Sequence, residues 1–218
     1  MAICYDCPLV FVSTSEIYGP SKGPIAEHHD KILRGSYTVR NEYGQAKLLA
    51  EIILKNAALD NPRLYYQIIR PFNVCGRRKK TEERFVLPRF ISSTLQNKYI
   101  SVFGDGSHIR SFVHVKDLVR GMEHIVNHGT SNSEWNIGAP MNTCSIFNLA
   151  QQVKKLCNSI SDIVFTSGNA VYGSKYAEAY NKQPCIDKII QYTGWGPQYS
   201  LEDIIKETRD YWKCTLLT

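Results

Sequence analysis

The chain has 218 residues, of which 43% are hydrophobic, and its formal net charge is +6. This composition is typical of a globular protein with a substantial core and excludes a disordered tail. Basic residues are scattered without interleaved aromatic residues, and apolar runs are far shorter than a membrane span. We therefore expect neither nucleic acid nor a membrane as a partner.

Seven cysteines are dispersed along the chain. Cys4 and Cys7 form a CxxC pair, but no second pair or histidine cluster accompanies them, so no metal site is predicted. The odd number of cysteines and the lack of a signal peptide favour a reducing compartment. We therefore expect a cytoplasmic protein.

The N-terminal third of the chain contains the pattern strand, helix, strand. Leu9 to Val12 is a short apolar run, as expected for a buried parallel strand. A helical stripe covers Glu42 to Ala58, and Leu64 to Ile69 forms a second buried run. This order predicts a crossover unit of a parallel sheet and hence an α/β fold.

Beyond Asn73 shorter elements alternate. Predicted helices cover 85–96, 115–126, 145–157 and 201–212, and predicted strands cover 100–103, 109–113, 134–137 and 162–165. No internal repeat or low-complexity segment interrupts this order.

Two short motifs carry candidate chemistry. The first strand is followed by the hydroxyl and carboxyl side chains of residues 13–16 (STSE), and Tyr43 and Lys47 are four residues apart on the predicted helix. Such a spacing places Tyr43 and Lys47 on one helix face. A nearby ammonium favours the phenolate, so the Tyr can exchange a proton well below its usual pKa of about 10.

These motifs, with five others in order, resemble the extended short-chain dehydrogenases/reductases, in particular the NAD-dependent epimerase/dehydratase family. The matching segments are STSEIYG (13–19), YGQAK (43–47), RPFNVCG (70–76), VLPRFI (86–91), VFGDGSHIRSFVHVKD (102–117), WNIG (135–138) and GWGPQYSLEDII (194–205). The resemblance covers nearly the whole chain from Leu9. It implies NAD as cofactor and a nucleotide sugar as substrate.

The resemblance also implies roles for individual residues. Tyr43 would be the acid/base at the sugar C4 hydroxyl, and Lys47 would bind the nicotinamide ribose and lower the Tyr pKa. Thr14 would lie beside the C4 oxygen. Ser15 and Glu16 match the pair that varies between subfamilies: Ser-Glu is typical of UDP-glucuronate decarboxylases, whereas GDP-mannose-type dehydratases also have Thr-Ser-Glu. The segment with Arg40 three residues before the Tyr is more similar to the decarboxylases.

On the phosphate side, the resemblance implies three substrate-binding residues. Asn73 matches a residue that contacts the nucleotide diphosphate, and Arg110 matches an Arg that clamps it, a task suited to a planar fork of donors. Lys182 occupies a position where many members have a second Arg.

The sequence departs from the family at a few single positions, such as Cys75, Arg77 and His108, and in one larger respect. None of its 14 glycines forms the GxGxxG or GxxGxxG turn that receives the pyrophosphate of the cofactor. The resemblance therefore implies a partial Rossmann-like sheet that lacks its N-terminal strands, over residues 1–75 with strand 134–137 returning to it. Residues 76–218 would form a smaller substrate-binding α/β region. We expect no usual NAD binding by this chain alone and an exposed apolar edge strand.

Three functional hypotheses follow. The chain is the catalytic and substrate-binding part of an NAD-dependent nucleotide-sugar epimerase, dehydratase or decarboxylase that works through a 4-keto intermediate. Alternatively, it is a non-catalytic descendant that serves as a binding or assembly module with a partner chain. A third hypothesis is sugar-nucleotide binding without NAD. We expect a homodimer or a partner chain, bound through the Glu42–Ala58 helix or the exposed sheet edge.

Overall fold

The computed structural model describes residues 2, 7–33, 35, 38–78, 85–168, 173 and 181–216. Along the chain its strands and α-helices are β1 (Leu9–Val12), α1 (Val39–Asp60), β2 (Tyr66–Pro71), β3 (Val74–Cys75), α2 (Val86–Leu95), β4 (Ile100–Phe103), β5 (Ile109–Ser111), β6 (Val113–His114), α3 (Val115–His128), β7 (Ser133–Ile137), β8 (Thr143–Ser145), α4 (Ile146–Leu156), β9 (Ile163–Thr166), α5 (Asp187–Thr193) and α6 (Leu201–Leu216). Short 3₁₀ helices cover Ser15–Ile17 and Pro140–Asn142.

The main sheet is parallel and has the strand order β1-β2-β7. Its central strand β2 is buried at every position except the half-buried Pro71, as expected when both faces of a parallel sheet are covered. Among the described residues β1 pairs only with β2, and the side chains of Leu9 and Val12 remain 40% and 38% exposed. β1 is therefore an edge strand with an accessible apolar surface.

The later part of the chain forms a second core around the parallel pair β4–β9. Its buried members come mainly from α2, β4, α4 and α6, including Phe90, Val102, Val153 and Ile204. Smaller pairs, β3–β6 and β5–β8, connect this core with the main sheet. The predicted α/β class is confirmed, with the motif-bearing strand β1 and helix α1 in the N-terminal part.

Most predicted elements agree with the structure to within a few residues, although the short strands β3 and β8 were not predicted. Two further differences have clear physical causes. The predicted strand 109–113 is two strands, because β5 pairs antiparallel with β8 whereas β6 pairs parallel with β3. The helix α1 begins three residues before the predicted start, where the hydroxyl of Thr38 accepts a hydrogen bond from the backbone of Asn41 at 3.3 Å. The short helix α5 was not predicted.

A buried carboxylate anchors the segment that precedes α6. Asp117, in the first turn of α3, is fully buried and accepts hydrogen bonds from the backbone N–H groups of Gln198 and Tyr199 at about 3.0 Å. It also forms an ion pair with Arg120 at 2.6 Å. These three partners replace the water that the carboxylate loses on burial.

We predict that Asp117→Asn lowers the free energy of unfolding by about 3 kcal/mol. The amide removes the counter-charge of Arg120, which keeps its hydrogen bond to the carbonyl of Gly196, and it can place its own N–H donors against the backbone N–H groups that Asp117 accepts. Urea denaturation at pH 7 measures this change. The matched control is Asp210→Asn: the Asp210 side chain is 60% exposed beside Arg209, so we expect a change within about 0.5 kcal/mol. Equal effects for the two variants would contradict this interpretation of Asp117.

Candidate active site

The STSE motif forms the turn at the carboxyl end of β1. The backbone N–H of Ser13 donates to the carbonyl of Ile69 at 2.7 Å and extends the ladder with β2. Thr14 then leaves the sheet and caps the 3₁₀ helix, its hydroxyl accepting a hydrogen bond from the backbone of Glu16 at 3.2 Å. Thr14 and Ser15 are both buried, so their hydroxyls are held in place at the strand end.

The helix α1 packs closely against this turn through Gly44. A Cβ atom at Gly44 would lie 3.1 Å from the carbonyl oxygen of Glu16, closer than side chains usually allow. The neighbouring Tyr43 is 47% exposed. One helical turn later, the Nζ of Lys47 donates to the carbonyl of Val12 at 2.8 Å. Tyr43 and Lys47 thus lie on the helix that packs against the turn, with Lys47 bonded to the end of β1.

Glu16 lies between two cations. Its carboxylate is 2.9 Å from the guanidinium of Arg40 and 2.8 Å from the ammonium of Lys182. Burial alone would raise the pKa of Glu16, but the charges of Lys182 and Arg40 outweigh it and lower the pKa to about 2. Glu16 is therefore ionised throughout the physiological pH range.

Lys182 is the most deeply buried member of this cluster, with 2% of its surface exposed. Its Nζ makes the ion pair with Glu16 but no well-directed hydrogen bond to any of the described residues. Burial lowers the pKa of Lys182 to about 8, against the opposing effect of Glu16 and with the support of the Arg40 and Arg110 charges. A group with this pKa can hold or release a proton near neutral pH.

The predicted phosphate-binding residues lie close to one another. Asn73 donates from its side-chain amide to the carbonyl of Ser111 at 2.9 Å. The adjacent Arg110 is 7% exposed and donates to the carbonyl of Ile109 at 2.8 Å. That same carbonyl accepts the backbone N–H of Lys182 at 3.1 Å. The structure thus joins Lys182 to Glu16 on one side and to the Arg110 strand on the other, rather than placing it on the phosphate side alone.

Sequence reasoning missed a buried polar network below these residues. The guanidinium of Arg70 makes two parallel hydrogen bonds to the carboxylate of Glu51, at 3.0 and 2.7 Å. It also donates to the hydroxyl of Tyr18 at 3.0 Å, and Tyr18 donates to the side-chain oxygen of Asn136 at 2.8 Å. All four side chains are at most 2% exposed. The sequence feature that could have indicated this network is the charged Arg70 within the otherwise largely apolar strand β2.

No group of three or more His, Cys, Asp or Glu side chains arranged to hold a metal occurs within the described residues. Of the CxxC pair, Cys7 is a free, exposed thiol, and Cys4 lies outside the described residues. Within the same residues, no helix combines the length and the apolar character needed to cross a membrane.

The fold and the site together define the class. A parallel sheet with a Tyr–Lys helix packed on a hydroxyl-bearing turn at a strand's carboxyl end is the arrangement of a short-chain dehydrogenase/reductase. In agreement, residues 2–138 match the NAD dependent epimerase/dehydratase family. The chain belongs to this family.

Individual relatives agree with this assignment. The chain is 32% identical, over 94% of its length, to a UDP-N-acetyl-alpha-D-glucosaminuronate decarboxylase of Bacillus cytotoxicus, and it spans 63% of that protein. It superposes with a TM-score of 0.84 and 26% identity on a UDP-glucose 4-epimerase of Thermotoga maritima with UDP-glucose, covering 99% of this chain and 66% of the other. It also matches the UDP-glucuronic acid 4-epimerase of Bacillus cereus in complex with UDP-glucuronic acid and NAD, with a TM-score of 0.80, 25% identity, and coverage of 94% and 61%.

The Glu16 charge cluster predicts a specific pH dependence of stability. The folded state holds the Glu16 pKa near 2, below its unfolded value of about 4.5. The resulting stabilisation, on the order of 3 kcal/mol, is present above pH 4.5 and is lost as the pH falls toward 2. The wild type should therefore lose stability relative to Glu16→Gln over this range.

Urea midpoints of both proteins between pH 7 and pH 3 measure this difference. The matched control is Glu202→Gln, because the Glu202 side chain is 57% exposed and its pair with Lys206 contributes little. A stability difference between the wild type and Glu16→Gln that stays constant on acidification would show that the carboxylate is not held by these cations.

Proposed function

We propose that this chain is the catalytic and substrate-binding part of an NAD-dependent nucleotide-sugar decarboxylase that acts on a UDP-hexuronate. The observation that carries the proposal is the ionised Glu16 held between Arg40 and the buried Lys182, next to Tyr43 and Lys47. The decarboxylase relative supports the same reaction class.

The first step is oxidation at the sugar C4. Tyr43 removes the proton of the C4 hydroxyl while the adjacent Lys47 ammonium stabilises the phenolate, and Thr14 hydrogen-bonds the same oxygen. NAD, when bound, accepts the hydride from C4. Lys47, fixed at the carboxyl end of β1 by Val12, fits the nicotinamide ribose. The residues present thus fit the nicotinamide end of the cofactor. For its pyrophosphate, the sequence contains no glycine-rich turn.

The 4-keto sugar of a hexuronate is a β-keto acid, which can lose its carboxyl group as CO₂. The C5–C6 bond breaks, its electron pair forms an enolate with the C4 carbonyl, and a proton must then reach C5. Lys182 can supply this proton because its pKa is lowered to about 8, and Arg40 adds a positive charge for the substrate carboxylate. Tyr43 would finally return its proton to the C4 oxygen as C4 is reduced, which restores the C4 hydroxyl.

The nucleotide would lie on the side of Asn73 and Arg110. Arg110 provides a fork of N–H donors for the diphosphate, and the Asn73 amide lies beside the same strand. The buried ammonium favours a substrate that carries a carboxylate, and the decarboxylase relative favours loss of that carboxylate as CO₂ over epimerisation. The described cysteines form no disulfide with one another, which agrees with the reducing cytoplasm that we propose as the compartment.

We predict that the chain, combined with a polypeptide that supplies the glycine-rich turn for NAD, converts UDP-glucuronate to CO₂ and a UDP-pentose, and that Tyr43→Phe lowers kcat by about 10²- to 10⁴-fold. Liquid chromatography of the nucleotide sugars measures turnover. Calorimetric titration with UDP should give similar affinities for both proteins, since Tyr43 acts at the sugar. Turnover that is unchanged in Tyr43→Phe would overturn the assignment. UDP binding without turnover by the wild type would favour the non-catalytic hypothesis.

We also propose a homodimer formed through α1. The outer face of this helix exposes large apolar side chains: Val39, Leu49, Ile52, Ile53 and Leu59 are between 44% and 82% exposed. A helix surface of this kind is costly to leave in water and is typical of an interface. The alternative is a partner chain that binds at the exposed edge of β1.

We predict that Ile53→Asp raises the Kd of the dimer at least about tenfold, because a charge would be buried in the centre of the helix face. Sedimentation velocity over a concentration series measures the monomer fraction. Ile160→Asp is the control, since Ile160 is 83% exposed and lies outside α1. A monomeric wild type, or equal effects of the two substitutions, would contradict the α1 interface.

A further inference from the structure

We propose that Arg70, Tyr18 and Asn136 are positioning residues that fix three parts of the active site relative to one another. These parts are the helix with Tyr43 and Lys47, the turn with Glu16, and the segment with Lys182. The proposal rests on the proposed function, because it concerns the same site. None of the three side chains is among the groups that would touch the substrate.

The helix is fixed by Glu51. This residue lies four positions after Lys47 and thus one helical turn further along α1. Its carboxylate receives two parallel hydrogen bonds from Arg70, which is on the central strand β2. Because a bidentate pair has a defined plane as well as a distance, it fixes the rotation of α1 about its own axis, and hence where the Tyr43 and Lys47 side chains point.

The turn is attached to the same guanidinium. Tyr18 follows Glu16 by two residues and ends the 3₁₀ helix. Its hydroxyl accepts a hydrogen bond from Arg70 and donates one to Asn136. The turn with Glu16 and the helix with Tyr43 are therefore both held by the side chain of Arg70 on the sheet. Gly44 allows their close contact.

The third part is attached through Asn136, which pairs with Arg70 in the sheet register. Its side-chain amide donates to the carbonyls of Ile25 and Cys185, at 2.9 and 3.4 Å. Cys185 also donates its backbone N–H to Ile25 at 2.9 Å, and it follows Lys182 by three residues. The backbone that carries the Lys182 ammonium is thus tied to the same network.

The test is Tyr18→Phe, which removes the shared hydroxyl but keeps the ring and the Arg70–Glu51 pair. We expect kcat to fall about tenfold with KM changed less than twofold, because misplacement of catalytic groups affects the chemical step more than binding. Hydrogen–deuterium exchange should become faster at the amides of 15–17, in the turn that Tyr18 holds, and should stay unchanged in β4 and β9. Tyr99→Phe, at a side chain that is 65% exposed, is the control.

Exchange that accelerates uniformly along the chain, in proportion to a lower Tm, would overturn the proposal and leave Tyr18 a purely stabilising role. Unchanged exchange and unchanged kcat would overturn it as well. Glu51→Gln is the second variant: it weakens the pair with Arg70 directly, so exchange should become faster at 39–47. The exchange measurement needs no turnover. A wild type that is inactive on nucleotide sugars would therefore refute the proposed function, while the exchange data would still test whether Tyr18 and Glu51 hold the turn and the helix in place.

Discussion

Arg70 brings a full positive charge into the centre of the main sheet, where 1% of its surface reaches solvent. Burial of an unpaired charge is prohibitively costly, so the fold must supply an opposite charge and directed acceptors at that point. Glu51 supplies the charge, and the hydroxyl of Tyr18 and the carbonyl of Glu27 supply further acceptors. Each acceptor lies on a different part of the chain. The requirement to satisfy one guanidinium therefore determines where the helix α1 and the turn with Glu16 can lie on the sheet.

A second charge cluster lies above this network and has a different character. Glu16, Arg40 and Lys182 carry two positive charges and one negative charge, and Lys182 retains donor capacity that no described residue uses. The Arg70 network is satisfied and rigid, whereas this cluster can respond electrostatically to an anionic ligand. This difference indicates a structural role for the Arg70 network and a ligand-binding role for the cluster of Glu16, Arg40 and Lys182. It also explains why the pKa of Lys182 lies near 8, since burial is offset only in part by one carboxylate.

The elements with a clear local period were predicted well from the sequence. The strand β1 and the helix α1 have apolar patterns that allow one conformation each. The segment 109–113 was read as one strand because its residues favour extended structure throughout, but strand identity depends on the partner, and its two halves have different partners. The helix α5 is only seven residues long, too short for a period to emerge.

The sequence by itself determined the family and the order of the elements, because these depend on motifs of adjacent residues, and the same motifs predict which residues transfer protons. It could not bring Lys182 to Glu16 or Glu51 to Arg70. Those pairs join positions 166 and 19 residues apart, and a local pattern contains no information about such contacts. Only the tertiary structure decided them, because the cost of burying each charge is met by whichever distant group the completed fold places beside it.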